Sequence, residues 1–471
     1  MRHASQPAAP TDETRQPWTI LVLLAVAQFM VILDVTVVNV ALPSIGSALG
    51  FAEADLQWVI TAYVLFTGGL LLLGGRATDL FGRRRIFLIG LAVFTAASLA
   101  SGLAPSPEAL IASRAAQGLG AAMLTPGALS IITTTYTGSQ RTTALSAWGA
   151  IGSAGAAAGV VLGGMLTSWL GWEWVFFINV PVGLATGLLT LQVVPATPPV
   201  AQGRRLDLPG ALSAVAGLVL LVYAIEGASD HGWTSARTVA LLAVGAGLLG
   251  AFIAIERRVR EPILPPATWR IRSLVAGVGL MFAATGLLVG AFFLNSIYLQ
   301  HVLGWSALEA GLGFLPLMLV IGLGAHAASH GIARIGSRSL AALGLVLMAG
   351  GAGLLAAAPD GASYAADLLP GFLVLGLGVG LVFPAASVTT MSEIHEEGAG
   401  LASGLMTTGH EVGAALGVAS FSAVATAAQN FPIGYGDAFL AVAAAAGILA
   451  AAVLAAVPQV RPTGETPIPA H

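Results

Sequence analysis

Long apolar runs alternate with short polar segments along nearly the whole chain. A helix needs about 20 mainly apolar residues to cross the hydrocarbon core of a bilayer. Fourteen runs meet that length, near 18–41, 54–75, 85–104, 108–130, 142–168, 174–194, 209–227, 237–256, 274–298, 309–328, 339–357, 368–389, 400–427 and 438–457. The pattern therefore predicts an all-α polytopic membrane protein with 14 transmembrane helices.

Composition excludes several classes of function. Only 9% of the 471 residues are charged, against about 25% in soluble domains, and the mean hydropathy is +0.88. The sequence has no cysteine, and all 19 basic residues are arginine, which excludes thiolate chemistry and the lysine of a Walker A motif. It also contains no nucleophile–base constellation and no metal-ligand cluster. We predict a protein that is no enzyme and uses no metal, organic cofactor or nucleic acid.

The positive charges predict an orientation. Basic residues beside membrane spans are kept on the cytoplasmic side. If the N-terminus is inside, the outer loops contain only Arg237, and Arg114 lies within a span. The other 17 arginines then face the cytoplasm: Arg2, Arg15, Arg76, Arg83, Arg84, Arg85, Arg141, Arg204, Arg205, Arg257, Arg258, Arg260, Arg270, Arg272, Arg334, Arg338 and Arg461. We predict a multi-pass protein of the inner (plasma) membrane with both termini cytoplasmic.

Two long polar connections, 195–208 and 257–272, divide the spans into groups of six, two and six. The segment 331–338 also resembles a degenerate copy of 75–85, and many secondary transporters are built from such repeats. The predicted units are a cytoplasmic tail (1–17), a six-helix bundle (18–194), a linker with an inserted two-helix hairpin (195–272), a second six-helix bundle (273–458) and a cytoplasmic tail (459–471).

Five motifs, in order and on the expected spans, carry a resemblance to a known family. The pattern Gly-x-x-x-Asp-x-x-Gly-Arg-Arg between spans two and three matches Gly75, Asp79, Gly82, Arg83 and Arg84. The other four matches are the stretches 33–43, 110–120, 155–164 and 172–181. On these residues the chain resembles the major facilitator superfamily, and within it the fourteen-helix drug:proton antiporters. It departs from them at Val160, where the family pattern carries proline.

The resemblance implies two six-helix bundles that rock about a central site. We expect proton-coupled antiport of hydrophobic, cationic small molecules or drugs by alternating access, with protons as the coupling ion and no other cofactor. The protein would contact membrane lipids and act as a monomer. Two alternatives stay open, an exporter of the same fold dedicated to one natural product or lipid, and a non-transporting membrane receptor or scaffold. The latter calls for a sizeable soluble module, and both tails are short.

Asp34 is the first candidate for proton coupling and for substrate binding. It lies deep in span one among apolar residues, where an unpaired carboxylate is costly and usually functional. The alternative is a structural acid paired with Arg114 of span four. Gln117 follows Arg114 by three residues and therefore lies on the same helix face. An Asp34→Asn variant is expected to lose proton-driven efflux and to keep its fold.

A second coupling site is predicted at His410 and Glu411 of span thirteen, with Arg114 assisting the first. Neighbouring helical residues point about 100° apart, so one side chain would face the cavity and the other a helix interface. A satisfied interfacial pair is the alternative. His326 of span ten is predicted to be a packed histidine rather than a proton carrier.

Three further groups complete the candidate residues. Gly155, Gly159, Gly163 and Gly164 form the small-residue face of the antiporter motif, and such faces let helices approach closely. Gly75, Asp79, Gly82, Arg83 and Arg84 are assigned to a conformational latch, with Asp79 capping a helix and the glycines permitting a tight approach. Besides Asp34, the predicted substrate contacts are Gln57, Tyr63, Gln117, Phe292 and Asn295.

Overall fold

Helices account for nearly all of the regular structure. The computed structural model describes residues 18–52, 55–136, 138–196, 206–259, 262–359, 361–394, 399–428 and 431–460. These ranges form fourteen long helices and no strand: α1 (Trp18–Leu49), α2 (Trp58–Phe81), α3 (Arg83–Gly102), α4 (Pro107–Thr135), α5 (Gly138–Trp169), α6 (Trp174–Val193), α7 (Leu208–His231), α8 (Ala236–Glu256), α9 (Arg272–Val302), α10 (Ala307–Ile335), α11 (Ser337–Ala356), α12 (Tyr364–Met391), α13 (Ala399–Thr426) and α14 (Phe431–Ala456). The predicted number of helices is confirmed.

Twelve of these helices are long and apolar enough to cross a membrane, judged on the described residues. The two others are α5, whose apolar stretch is Ala154–Trp169, and α13, which contains His410 and Glu411. Both are packed between other helices, α5 between α1 and α10, and α13 between α2 and α9. A helix surrounded by protein needs a less apolar surface than one that faces lipid.

Several predicted features lie outside the described residues. They are the tails 1–17 and 461–471, most of the connection 195–208, and six arginines: Arg2, Arg15, Arg204, Arg205, Arg260 and Arg461.

The helices form two groups with α7 and α8 beside them. Helices α1 to α6 pack mainly on one another, and so do α9 to α14. Helix α7 packs on α8 and also on α2 and α13, one from each group. Helix α8 lies at the periphery, since only 11% of its most apolar 18-residue segment is buried inside the protein. Between the groups, the main contacts are α2 with α13, α5 with α10 and α1 with α9.

The junction between α2 and α3 is tighter than the sequence suggested. Residues 75–81 continue α2 and Arg83 begins α3, so the stretch taken as a loop is helical except for Gly82. Gly82 has φ 93°, a conformation open mainly to glycine. Gly336 joins α10 to α11 in the same way with φ 82°, so the weak sequence repeat corresponds to a repeated backbone geometry.

The two groups meet closely at one end of the molecule. We call this the α1–α2 end, and the opposite end, which holds Gly82, the α2–α3 end. At the α1–α2 end Leu308 of α10 donates its N–H to Ser168 Oγ of α5 over 3.2 Å. A Cβ added to Gly164 would lie 2.6 Å from Leu308 Cα, so the α5 and α10 backbones touch there. These contacts close this end of the interface.

Candidate functional site

Asp34 is at the centre of a buried polar network in the first helix group. Its Oδ2 accepts a hydrogen bond from Arg114 Nη1 over 2.5 Å. Its Oδ1 accepts from Gln117 Nε2 and from Asn179 Nδ2, each over 2.8 Å. Both carboxylate oxygens are thus occupied, and the side chain is 0% exposed. This is the arrangement expected for a charged, fully compensated carboxylate.

Arg114 is held by its own set of partners. Its Nε donates to the Val59 carbonyl of α2 over 2.9 Å, and Nη1 also reaches Gln117 Oε1 over 2.6 Å. Nη2 has no hydrogen bond with the described residues. Instead the guanidinium carbon lies 4.4 Å from the Tyr63 ring centre, a cation–π contact that stabilises a buried positive charge. Arg114 therefore ties α4 to both α1 and α2.

A serine completes the network from α3. Ser98 Oγ accepts the second amide hydrogen of Gln117 over 2.7 Å and that of Asn179 over 3.2 Å. Each amide therefore donates once to Asp34 and once to Ser98. Helices α1, α3, α4 and α6 are joined at one point. Neither Ser98 nor Asn179 was predicted as a site residue, although a polar residue inside an apolar run was the available signal.

The paired alternative for Asp34 is therefore what the structure shows. An unpaired Asp34 is not found in this conformation, because the side chain is enclosed and bound to Arg114. The Asp34→Asn expectation changes with it. An asparagine would leave Arg114 buried without a counter-charge, at a cost of about 3–5 kcal/mol.

The other predicted substrate contacts are also enclosed. Asn295 is satisfied within the second group, since its Oδ1 accepts from Tyr435 over 2.7 Å and its Nδ2 donates to the Ala291 carbonyl over 2.8 Å. Phe292 packs against Phe314 with ring centres 4.0 Å apart and the rings tilted by 38°. The buried set comprises Gln57, Tyr63, Gln117, Phe292 and Asn295. Contact with a substrate at these positions would require a different conformation.

His410 and Glu411 provide a more accessible ionisable pair. His410 Nδ1 lies 3.5 Å from Glu411 Oε1, with the two side chains 40% and 17% exposed. Glu411 lies against α2, where a Cβ on Gly68 would come within 2.6 Å of the Glu411 Cβ. The His410 ring meets Phe383 edge to face at 6.1 Å. As the helical spacing predicted, one side chain faces the helix interface and the other more open space.

The glycine face of α5 packs against both helix groups. An added Cβ on Gly159 would overlap Thr36 Oγ1, and one on Gly163 would lie 2.9 Å from Val37 Cα. Gly164 contacts α10, whereas Gly155 has ordinary spacing of 3.4 Å to Ile32. The close approach expected of this motif therefore occurs at three of its four glycines. Two of them adjoin the α1 segment that follows Asp34.

Among the predicted latch residues, Arg84 joins two helices. Arg84 Nη2 donates to the Leu191 carbonyl in the last turn of α6 over 2.8 Å, and so joins α3 to α6. The capping role given to Asp79 is wrong, because α3 begins after Gly82 with no side-chain cap. The tight approach also lies elsewhere: Gly75 has only Pro126 nearby, at 3.8 Å, while Gly74 abuts the α4 backbone. Arg83 is half-buried beside this junction.

Comparison with known proteins agrees with this architecture, a polytopic helical membrane protein with a buried charge network. The profile of the Major Facilitator Superfamily matches residues 24–418. The chain belongs to that superfamily. The related proteins are transporters rather than enzymes, and the chain is a multi-pass protein of the plasma membrane.

Two sequence relatives are named for antibiotic resistance or export. A puromycin resistance protein of Streptomyces alboniger is 42% identical over 431 residues, covering 89% of this chain and 84% of its own. A cephamycin export protein of Amycolatopsis lactamdurans is 40% identical over 444 residues, covering 92% and 91%. An auto-inhibited peptide transporter of the POT family shares the fold, with a TM-score of 0.68 at 17% identity over 96% of this chain and 99% of that one. These two sequence relatives are thus named for antibiotic resistance and for antibiotic export.

Proposed function

We propose that the chain exports small molecules in exchange for protons by alternating access. The observation that carries the proposal is that each helix group contains an acid paired with a basic side chain, and that the two acids differ in accessibility. Asp34 is enclosed and neutralised by Arg114 in the first helix group, whereas Glu411 of the second is partly exposed beside His410. The name of the cephamycin relative supports export as the direction, and that of the puromycin relative supports a role in drug resistance.

Proton coupling in this proposal depends on the charge balance of the two sites. A proton on Asp34 would remove the ion pair with Arg114 and loosen the joint between α1, α2 and α4. A proton on Glu411 would compete with a cationic substrate for the same carboxylate, with the aromatic ring of Phe383 nearby. Gln57, Tyr63, Gln117, Phe292 and Asn295 remain proposed contacts for a conformation that opens the centre of the molecule.

The proposal includes an orientation and a division of the chain. The α2–α3 end would be cytoplasmic, because Arg83, Arg84 and Arg85 begin α3 there and basic residues beside membrane spans are kept on the cytoplasmic side. Residues 18–194 and 273–458 would form the two moving bundles of a monomer, with 195–272 as the inserted hairpin. Gly82 and Arg84 would hold the α2–α3 end as a latch, and the α5 glycines would let α5 pivot between α1 and α10.

One alternative has an observation in its favour. Several relatives are named for a single antibiotic, among them puromycin, cephamycin and lincomycin. A dedicated exporter of one natural product is therefore the second candidate. It differs from a multidrug exporter in breadth of substrates, and not in coupling.

Reconstitution tests the proposal. Purified protein in liposomes with a lumenal pH dye is given puromycin, cephamycin and a series of lipophilic cations, and we expect compound-dependent proton movement. Glu411→Gln should abolish the coupled signal, while Glu393→Gln, at an exposed position after α12, serves as the matched control. Compound movement without any proton flux would overturn antiport. A response to one compound alone would favour the dedicated exporter.

A further inference from the structure

Two histidines on α10 lie together and outside the proposed transport site. His326 and His330 are one helical turn apart, and their ring centres are 5.2 Å apart at an angle of 60°. Both side chains are exposed, so the expectation of a packed His326 is wrong. Imidazoles at positions i and i+4 of a helix lie on one face and can bind one ion together.

The ring separation fits a shared metal ion. When two imidazole nitrogens bind one ion at about 2.1 Å with a tetrahedral angle between them, the ring centres lie about 5 Å apart. The observed 5.2 Å matches this distance. The ring spacing that a shared ion needs is therefore already present on α10.

The hydrogen bonds of His330 are made by Nδ1 and leave Nε2 available to bind an ion. Ser329 Oγ donates to the His326 carbonyl over 2.6 Å, and therefore accepts from His330 Nδ1, which lies 3.1 Å away. The same Nδ1 lies 3.3 Å from the His326 carbonyl, which can only accept. Nδ1 therefore carries a hydrogen, and in the neutral ring the lone pair is on Nε2. Metal-binding histidines are usually oriented by such a hydrogen bond from the ring nitrogen that does not bind the metal.

We propose that His326 and His330 form a binding site for a divalent first-row transition metal ion, of the kind that imidazole prefers, such as Zn²⁺ or Cu²⁺. Among the described residues no third histidine or carboxylate joins the pair. The ion would keep open coordination positions for water or an added ligand, and so would exchange readily. Arg334, one turn further along α10, weakens the attraction for a cation, so Arg334→Gln should strengthen binding.

The position of the pair gives the ion a consequence for transport. Five turns of about 3.6 residues separate Leu308 from His326, so both point to the same side of α10. Leu308 contacts α5 at the α1–α2 end, whereas the histidines lie exposed toward the α2–α3 end. A hydrated ion there would obstruct the closing of α5 onto α10 at that end. This consequence rests on the proposed alternating access, whereas the site itself does not.

Direct binding measurements test the site. Full-length protein is purified without a polyhistidine tag, and Zn²⁺ binding is measured by equilibrium dialysis, with Cu²⁺ electron paramagnetic resonance reporting nitrogen ligands. His326→Ala and His330→Ala should each weaken binding at least about ten-fold. His330→Ala combined with Ala333→His keeps the number of histidines but separates them by about 10 Å along the helix, and should bind as weakly. His301→Ala should bind as the unaltered protein does.

The outcomes separate the site from its consequence. Equal Zn²⁺ binding by the unaltered protein and by His326→Ala overturns the site, and so does tight binding by the relocated pair. Zn²⁺ should inhibit efflux from proteoliposomes by the unaltered protein and not by His326→Ala. Binding without that inhibition overturns the obstruction of α5. Absence of any efflux by the unaltered protein contradicts the proposed function and leaves the dialysis result standing.

Discussion

The charges of Asp34 and Arg114 compensate each other, so the effect of changing one depends on the other. Both side chains are 0% exposed, and their separation of 2.5 Å makes them one neutral unit within the helix bundle. Removing one partner of a buried pair leaves an uncompensated charge, whereas removing both can be nearly neutral. If a variant of Asp34 or Arg114 alone lost transport, the loss could therefore come either from proton coupling or from lower stability of the fold.

A charge-balanced pair of variants separates these effects. We expect Asp34→Asn to lower the free energy of unfolding by about 3–5 kcal/mol, and Asp34→Asn with Arg114→Gln to recover most of that loss. Thermal unfolding in detergent, followed by size-exclusion fluorescence, gives the order of the melting temperatures. Equal melting of Asp34→Asn and the unaltered protein would show that the buried pair is not needed for the fold.

The sequence was informative about this network where the residues share one helix. The spacing of Arg114 and Gln117 predicted a common face, and Gln117 does accept from Arg114. Ser98 and Asn179 were missed because a contact between α3, α4 and α6 depends on how the helices rotate about their axes. His326 was misjudged for the same reason, since periodicity does not say which face of α10 is left open.

Among the helices, α1 owes one of its hydrogen bonds with α9 to a proline. Pro43 lies inside α1 and has no N–H to donate, so the carbonyl four residues earlier loses its helical partner. That carbonyl belongs to Asn39, and Ser296 Oγ of α9 donates to it over 2.9 Å. The interruption of α1 thus supplies an acceptor for the second helix group at the α1–α2 end.

Removing this hydrogen bond should weaken closure of that end. We expect Ser296→Ala to cost about 1 kcal/mol, the typical net value of one hydrogen bond, which is about a five-fold change in a two-state population. Because the sequence has no cysteine, one cysteine introduced at buried Val160 can report opening by maleimide labelling. In a Pro43→Ala background the alanine N–H satisfies Asn39, so Ser296→Ala should then have a smaller effect. An equal effect in both backgrounds would contradict this role for Pro43.

The α5 glycines allow a matched comparison on one helix. A Cβ on Gly163 meets the α1 backbone, with Val37 Cα at 2.9 Å, while one on Gly155 has ordinary contacts of 3.4 Å. We expect Gly163→Ala to destabilise the protein by about 1–3 kcal/mol. Gly155→Ala should be neutral or stabilise it by up to about 1 kcal/mol, because alanine favours the helix. Melting temperatures in detergent check both, and a similar loss in the two variants would argue against close packing at Gly163.

Helix positions were predictable because lipid demands long apolar segments, but the ends of helices were not. Residues 75–81 looked like a loop because of Arg76 and Asp79, yet they continue α2 to its last turn. Charged residues are tolerated in a helix that reaches water, so charge alone did not mark the boundary. Only the glycine requirement at Gly82 was predictable from the motif.

At the scale of the whole molecule, the contacts between the two helix groups lie at different distances from the α1–α2 end. Helix α5 meets α10 through Gly164 and Leu308 at the α1–α2 end, whereas α2 meets α13 further along, where Gly404 lies near Leu72. Helix α7 lies against both α2 and α13 and so covers one side of the interface. Movement between the groups is therefore expected to be largest on the side of α5 and α10, which no additional helix spans in the described residues.

This asymmetry predicts opposite behaviour for two glycines of α10. A Cβ on Gly311 would overlap the Val160 carbonyl of α5, whereas one on Gly322 would meet none of the described residues within 4 Å. Both substitutions by alanine raise helix propensity equally, so their difference reports the contact between the groups. Gly311→Ala should hold the α1–α2 end open and increase maleimide labelling of the reporter cysteine at Val160, which is 0% exposed. Gly322→Ala should label as slowly as the parent, and unchanged labelling of the Gly311 variant would mean that α5 and α10 do not form this closure.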